Sequence, residues 1–468
     1  MCASRRWVPR AVNWSAQVSE RVTAGAAPTT NPLSAAAPAG DYPDIVRACY
    51  ALALFVFSYF LYFSDVQLIT LLVAPIKQAY RINDTIFSLL AAGPPVIAIL
   101  AIGLPMATLV DRWNRRNLLI AAIFLWTAMN VLCAFAPNFK VLFALKVGVA
   151  IGGAWYYPTV VSLISDLFAP RHRTTAFTVL QLCGTSGVGL AVLLSGGAIS
   201  LAHRLSTFAL PVVGVIAWWQ WAFILVSAPA PLGAALLLTI REPRRHLSRV
   251  AGSGDLKLAS YLRRHWQVCA AVILGTAMGN ILLYAARSWL PEYFIRAFAQ
   301  SRTEAATASG LILTLGAGLG IGAGGALAHW LKRRGIEGAN LAVVITSYTA
   351  PIAFLLLLPL LGTAGSAAIV LSAAFFLFNL HGGPQIDIIQ GVVPNEIRGR
   401  FVTLVLMVGY AGTFIGPVAV GFLNDHVFGV GGGVRYSMTV TLVLACVGAA
   451  FCWSIRARSM VALSRTRA

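Results

Sequence analysis

The sequence predicts an all-α membrane protein of twelve transmembrane helices in two pseudosymmetric six-helix bundles. Three observations predict it. Charged residues make up only 11% of the 468, and hydrophobic ones 58%, with a mean hydropathy of +0.78; soluble domains carry about 25% charged residues. Twelve apolar runs each reach the length, about 20 residues, that a helix needs to cross a bilayer. The longest basic connection between them, 241–264, divides the runs six and six.

In chain order, residues 1–45 come first, rich in Ala, Pro, Ser and Thr and lacking the apolar core of a signal peptide; they read as a disordered cytoplasmic tail. The first bundle, 46–240, holds spans at 47–76, 87–110, 117–136, 139–168, 173–201 and 219–240. The stretch 241–264 opens Arg-Glu-Pro-Arg-Arg-His and continues Gly-Ser-rich, a cytoplasmic linker. The second bundle, 265–457, holds spans at 265–297, 304–331, 338–361, 365–391, 400–424 and 433–456, and residues 458–468 form a cytoplasmic tail. Pro94, Pro95, Pro158, Pro351 and Pro384 fall inside spans and are candidate kinks. Glycines from Gly316 to Gly325 have no following Lys-Ser/Thr, so they predict close helix packing and not a phosphate loop.

The formal net charge of +20 would suggest nucleic acid in a soluble protein. Here the basic residues sit between apolar runs, where membrane topology accounts for them. Loops after even-numbered spans carry Arg112, Arg115 and Arg116; Arg171 and Arg173; seven from Arg241 to Arg264; Lys332, Arg333 and Arg334; and Arg398 and Arg400. Loops after odd-numbered spans hold Lys77, Arg81, Lys140, Arg204, Arg302 and Arg435. The positive-inside rule therefore places both termini in the cytoplasm. Seven cysteines, mostly within apolar runs and without metal spacing, read as buried thiols; no metal or cofactor is expected.

The halves repeat. Leu109, Asp111, Arg115 and Arg116 recur as Leu327, His329, Arg333 and Arg334, each 218 positions later. A duplicated six-helix unit with its site between the halves is the plan of transporters that work by alternating access.

Ala107-Thr-Leu-Val-Asp111-Arg-Trp-Asn-Arg115-Arg116, a charged hairpin between spans two and three, resembles the major facilitator signature G-x-L-x-D-R-x-G-R-R, with Ala107 and Asn114 where that family has glycines. A narrower resemblance, to the spinster-like branch, is carried by Phe63-Ser-Asp65, Pro75-Ile-Lys77, Tyr157-Pro158 running to Ser165-Asp166, Trp218-Trp-Gln-Trp-Ala-Phe223, Arg241-Glu-Pro-Arg-Arg245, Trp289-Leu-Pro-Glu-Tyr293, Arg398-Gly-Arg400 and Gly421-Phe-Leu-Asn-Asp425. Together these cover most of residues 45–430. The resemblance implies the major facilitator fold and ion-coupled transport of lysophospholipids, sphingosine-1-phosphate and related amphiphiles. It also implies a gate in which Asp111 accepts from Arg115 and caps a neighbouring helix when the cytoplasmic side is closed, with Arg112 and Arg116 beside it and His329, Arg333 and Arg334 as the second-half counterpart. Two departures bear on proton coupling: Val66 follows Asp65 where members carry Arg, and Gly153 stands where members carry an acid in span four.

Within the spans, polar residues mark a cavity. A charged side chain mid-membrane costs about 2.5–3.5 kcal/mol on insertion scales, so Asp65 is expected to line a cavity or meet a cation. Lys146 in span four is the nearest partner, and a cation facing a cavity suits an anionic headgroup. Arg287, among aromatics in Tyr284-Ala-Ala-Arg-Ser-Trp289, is a second cation; Tyr156 and the span-ten set Asn379, His381 and Gln385, next to a Gly382-Gly-Pro384 break, complete the candidates. Asp387 is expected near the cytoplasmic end, paired with Arg398 or Arg400. These residues predict a plasma-membrane transporter, in a bacterium the inner membrane, with a cavity suited to an anion; the resemblance implies that the solute is amphiphilic and lipid-like and that protons are the coupling ion. The alternatives are a carrier of small organic or sugar acids and a multidrug exporter. An embedded enzyme would need a His–Asp or metal constellation at one face, which the spacing does not offer.

Overall fold

The computed structural model describes residues 42–205, 209–210, 214–243, 258–429, 433–457 and 459–461, with the backbone alone for 103–112, 170, 174, 185, 209–210, 214–215 and 395. Most of the expected tails and of the linker, and the side chains of Asp111 and Arg112, thus lie outside the described residues.

Among the described residues, twelve helices are long and apolar enough to cross a membrane: Ile45–Leu71, Asp84–Ile102, Arg115–Cys133, Phe139–Leu167, Ser186–Leu205, Trp218–Leu237, Trp266–Phe298, Arg302–Arg333, Ala339–Leu360, Ala364–Gly391, Glu396–Phe428 and Val434–Ile455. They are numbered as spans one to twelve. Their ends sit at polar caps that hydropathy alone does not locate. Asn83, Asn114, Asn138 and Thr363 accept from the backbone N–H three residues on at 2.9–3.2 Å, starting spans two, three, four and ten. Ser301 and Glu304 cap each other at the start of span eight. Span two therefore begins at Asp84 and not at 87. Span ten is broken, as the glycines and proline suggest: one helix ends at Asn379 and the next starts at Gly382. Outside the helices, the described strand pairing is a two-residue ladder, Ala209↔Val215 and Leu210↔Gly214.

Packing repeats with the sequence. In the first half, span one packs on five, two on four, three on four and six, and five on six; the same pairs recur six spans later as seven on eleven, eight on ten, nine on ten and twelve, and eleven on twelve. The halves meet where span two packs on eleven and span five on eight. Small residues permit the closest approaches. A Cβ on Gly320 would stand 2.6 Å from the Phe376 carbonyl oxygen, and one on Gly324 would stand 1.9 Å from that of Leu380, so the span-eight glycines serve packing against span ten.

The chain enters span one and leaves span twelve on one face, called here the terminal face. Hydrogen bonds and ion pairs link described residues of the two halves from the middle of the bundle to the opposite face. Thr314 donates to the Ser186 carbonyl at 3.3 Å, Ser200 meets Thr303 at 2.9 Å, and residues 84–85 meet 296 and 424–425. The structure is thus joined at the opposite face.

Candidate transport site between and within the halves

Two polar centres lie at membrane depth. The first belongs wholly to the first half. Asp65 on span one is fully buried; its Oδ1 accepts from Asn130 Nδ2 of span three and Ser227 Oγ of span six, both at 2.9 Å. Its Oδ2 has no partner. Lys146 on span four, also buried, donates to Asn130 Oδ1 at 2.9 Å and lies 4.8 Å over the Phe223 ring. The expected acid and cation are therefore brought together through an amide: Asn130 donates to the carboxylate and accepts from the ammonium. Buried opposite charges satisfied in this way hold spans one, three, four and six together. The free carboxylate oxygen can take a proton without breaking either existing bond, which is the chemistry a coupling site needs. Lys146 also borders a small cavity with Tyr62, Val66, Pro94 and Pro95, so it does not snorkel to a surface.

The second centre spans the halves. Arg287 on span seven packs against the Tyr284 ring, 5.4 Å from its centroid, and its buried Nε has no partner. It lies within electrostatic reach of Tyr59 on span one. Tyr59 in turn lies near Tyr62, Tyr157 and, across the interface, Tyr284 and Tyr410. Its ring is 5.9 Å from that of Tyr157 and 5.7 Å from that of Tyr156. An arginine among tyrosines offers a guanidinium that can pair with an anion and ring faces that can pack a flat or apolar group.

Other candidates are placed elsewhere. Tyr156 is fully buried and donates to the Phe55 carbonyl at 2.7 Å, backing Tyr59. The span-ten set bonds inside the second half: Asn379 donates to the Phe375 carbonyl at 2.7 Å, His381 bonds the Phe378 carbonyl, and Gln385 joins Tyr348 and Thr276 at 3.0 and 3.1 Å. These residues fix the span-ten break against spans seven and nine. Asp387 pairs with Lys332 and Asn340, not with Arg398 or Arg400, because the break turns it toward spans eight and nine.

At the terminal face, Arg115 is buried and bonds within its own half, to Asp166 and Ser162 of span four and to Glu242 and the Pro243 carbonyl after span six. Arg116 donates to the Leu238 and Ile240 carbonyls at 3.5 and 3.2 Å, where a cation suits a helix C-terminus. His329 is exposed and borders a polar pocket with Lys332, Asn340 and Asp387; Arg333 is exposed, and Arg334 stacks 3.9 Å over Trp330.

A twelve-helix bundle with a repeated half, buried charges at membrane depth and contacts closed at one face defines a membrane transporter. The Major Facilitator Superfamily profile matches residues 55–417, and the chain belongs to that family. Among its relatives, the gentisate transporter of Corynebacterium glutamicum is 27% identical over 352 residues, 72% of each chain. The sphingosine-1-phosphate transporter SPNS2 of Danio rerio is 27% identical over 238 residues, 47% of this chain and 43% of that one. A crystal structure of a bacterial homologue of the human lysosomal transporter Spinster, inward-facing and unoccupied, superposes with TM-score 0.72 at 24% identity, covering 91% of this chain and 98% of that one. The spinster-like resemblance read from the sequence thus recurs in both comparisons.

Proposed function

We propose that the chain is a secondary transporter working by alternating access between bundles 46–240 and 265–457, and that it carries a small organic acid with an aromatic ring. The observation that carries this reading is the buried Arg287, whose Nε has no partner, set among tyrosines of both halves. A guanidinium pairs bidentately with a carboxylate, and tyrosines offer ring faces and hydroxyls to a phenolic body. The relative matching over 72% of each chain is a gentisate transporter, a carrier of such an acid. Asp65, bridged to Lys146, is the coupling carboxylate, with protons as the coupling ion. The protein works in the plasma membrane, the inner membrane of a bacterium, with both termini cytoplasmic.

The lipid-like reading keeps one observation in its favour. An apolar groove of about 540 Å³, lined by Leu89, Val96, Phe139, Phe143 and Phe414 and bordered by Lys140, runs where spans two and four meet span eleven. Such a groove could lodge one acyl chain with its headgroup at Lys140. Proteoliposome uptake separates the two readings. Labelled dihydroxybenzoate should enter in a protein-dependent way, and Arg287→Gln should reduce that uptake at least tenfold without aggregating the protein. Movement of labelled lysophospholipid without acid uptake would transfer the assignment to lipid. If neither solute moves, both readings fall.

A further inference from the structure

Three stretches singled out by the sequence, Pro75-Ile-Lys77, Trp289-Leu-Pro-Glu-Tyr293 and Gly421-Phe-Leu-Asn-Asp425, have no part in the central site, yet they converge at the opposite face. The residue they surround is Asp84, the fully buried first residue of span two. Its carboxylate meets Lys77 from the short helix after span one, two N–H groups of Arg296 on span seven, and Asn424 Nδ2 on span eleven at 3.2 Å. Arg296 also donates through Nε to Glu292, one turn earlier on its own span, at 2.6 Å. Asp425 caps span two: Oδ1 accepts from the Asp84 N–H at 3.1 Å, and Oδ2 accepts from the Thr85 N–H and hydroxyl at 2.7 and 2.6 Å. Behind this layer Trp289 lies under Arg296, donates to the Pro417 carbonyl at 3.0 Å and meets Phe87 of the first half edge-on. Gly421 completes the fit, since a Cβ there would stand 2.6 Å from the Asp84 carbonyl oxygen.

The cluster is divided between the halves. The first contributes Asp84, Lys77 and a helix N-terminus; the second contributes Arg296, Glu292, Asn424 and Asp425. An anion at a helix N-terminus and charge-assisted hydrogen bonds are favourable only while the partners are in place. Parting the halves here would strip Asp84 of Arg296 and Asn424 and uncap span two. Arg296 would keep Glu292, and Asp84 would keep Lys77, so each half retains a fallback partner. That arrangement suits a contact made and broken repeatedly, more than a permanent staple.

We propose that this cluster is the lock that holds the opposite face shut, with Arg296 as its moving part: held by Glu292 in both states, and by Asp84 only when that face is closed. The inference rests on alternating access and adds the residues that bias the two states. It is tested by distance, not by transport. Spin labels go on cysteines replacing the exposed Pro137, between spans three and four, and the exposed Gly362, between spans nine and ten, with Cys2, Cys49, Cys183 and Cys452 changed to serine. In the full-length protein in lipid nanodiscs, Arg296→Gln should raise the ratio of long to short inter-label distances at least tenfold, whereas Arg296→Lys should change it far less. Should Arg296→Gln fail to fold, Asp425→Asn, which removes only the cap's charge, should shift the ratio in the same direction. A folded Arg296→Gln or Asp425→Asn protein with an unchanged distance distribution overturns the lock. Solute uptake measured on the same samples tests the transport reading separately, because a chain that transports with unchanged distances loses only the lock.

Discussion

Asn130 is the residue on which both charges of the first half depend. It is an amide in the apolar run Trp126-Thr-Ala-Met-Asn130, and its two ends satisfy Asp65 and Lys146 at once. Asn130→Ala would leave the ammonium without its acceptor and the carboxylate with only Ser227. Each buried polar group left unpaired costs about 1–3 kcal/mol, so thermal unfolding in detergent should fall by several degrees. Asp65→Asn keeps the shape and the acceptor oxygen but cannot cycle a proton. It should abolish accumulation driven by a pH gradient while leaving solute exchange across equilibrated vesicles, a split that a purely structural carboxylate would not give. Asp65, Lys146 and Arg287 were legible in the sequence because a charge inside an apolar run has few uses. Asn130 was not, because a lone amide reads equally well as an interhelical bond, and its partners come from three other spans. Of the tyrosines around Arg287, Tyr284 was legible three residues before it, whereas Tyr59, Tyr62 and Tyr410 look like membrane aromatics until two halves are folded against each other.

The spans themselves were readable from hydropathy, and their boundaries moved by a few residues where an Asn, Ser or Thr cap set the true start. What hydropathy cannot give is which span ends touch. The charged hairpin before span three illustrates this. Its motif implied Asp111 accepting from Arg115; the Asp111 side chain lies outside the described residues, and the fold lays the guanidinium of Arg115 between Asp166 and Glu242, through Nη1 to Asp166 and Ser162, Nε to Glu242 and Nη2 to Pro243. Spans three and four and the end of span six are thereby tied at the terminal face of one half. Removing one partner of a buried ion pair costs about 3–5 kcal/mol, so Arg115→Ala should lower the unfolding temperature strongly and reduce the yield of folded protein. Arg115→Lys keeps the charge but cannot reproduce the planar fork; it should recover less than half of the lost stability in the same thermal scan. Equal stability of both variants and the parent would mean that the arginine serves only to anchor the loop in the headgroups.

At the level of the whole molecule, the loops of the two faces differ in how many basic residues they carry. On the opposite face Lys77 binds Asp84, Arg296 binds Asp84 and Glu292, Arg435 donates to the Leu361 and Ala297 carbonyls, and Arg302 stacks on Trp218, whereas Arg81, Lys140 and Arg204 are exposed. On the terminal face Arg333 and Arg400 are exposed, while Lys332 pairs with Asp387, Arg334 stacks on Trp330, and Arg115 and Arg116 are bonded within the first half; the sequence 244–257, outside the described residues, holds four more basic residues. Lys and Arg in short loops favour the cytoplasmic side. Both faces thus hold engaged and exposed basic residues, and it is the larger number of Lys and Arg in the terminal-face loops that argues for a cytoplasmic terminal face. A green fluorescent protein fused after Ala468 should fluoresce and alkaline phosphatase at the same point should be inactive. Phosphatase inserted at Gly362, in the loop between spans nine and ten, should be active. An active C-terminal phosphatase would invert the topology, and the Asp84–Arg296 cluster would then close the cytoplasmic face instead of the outer one.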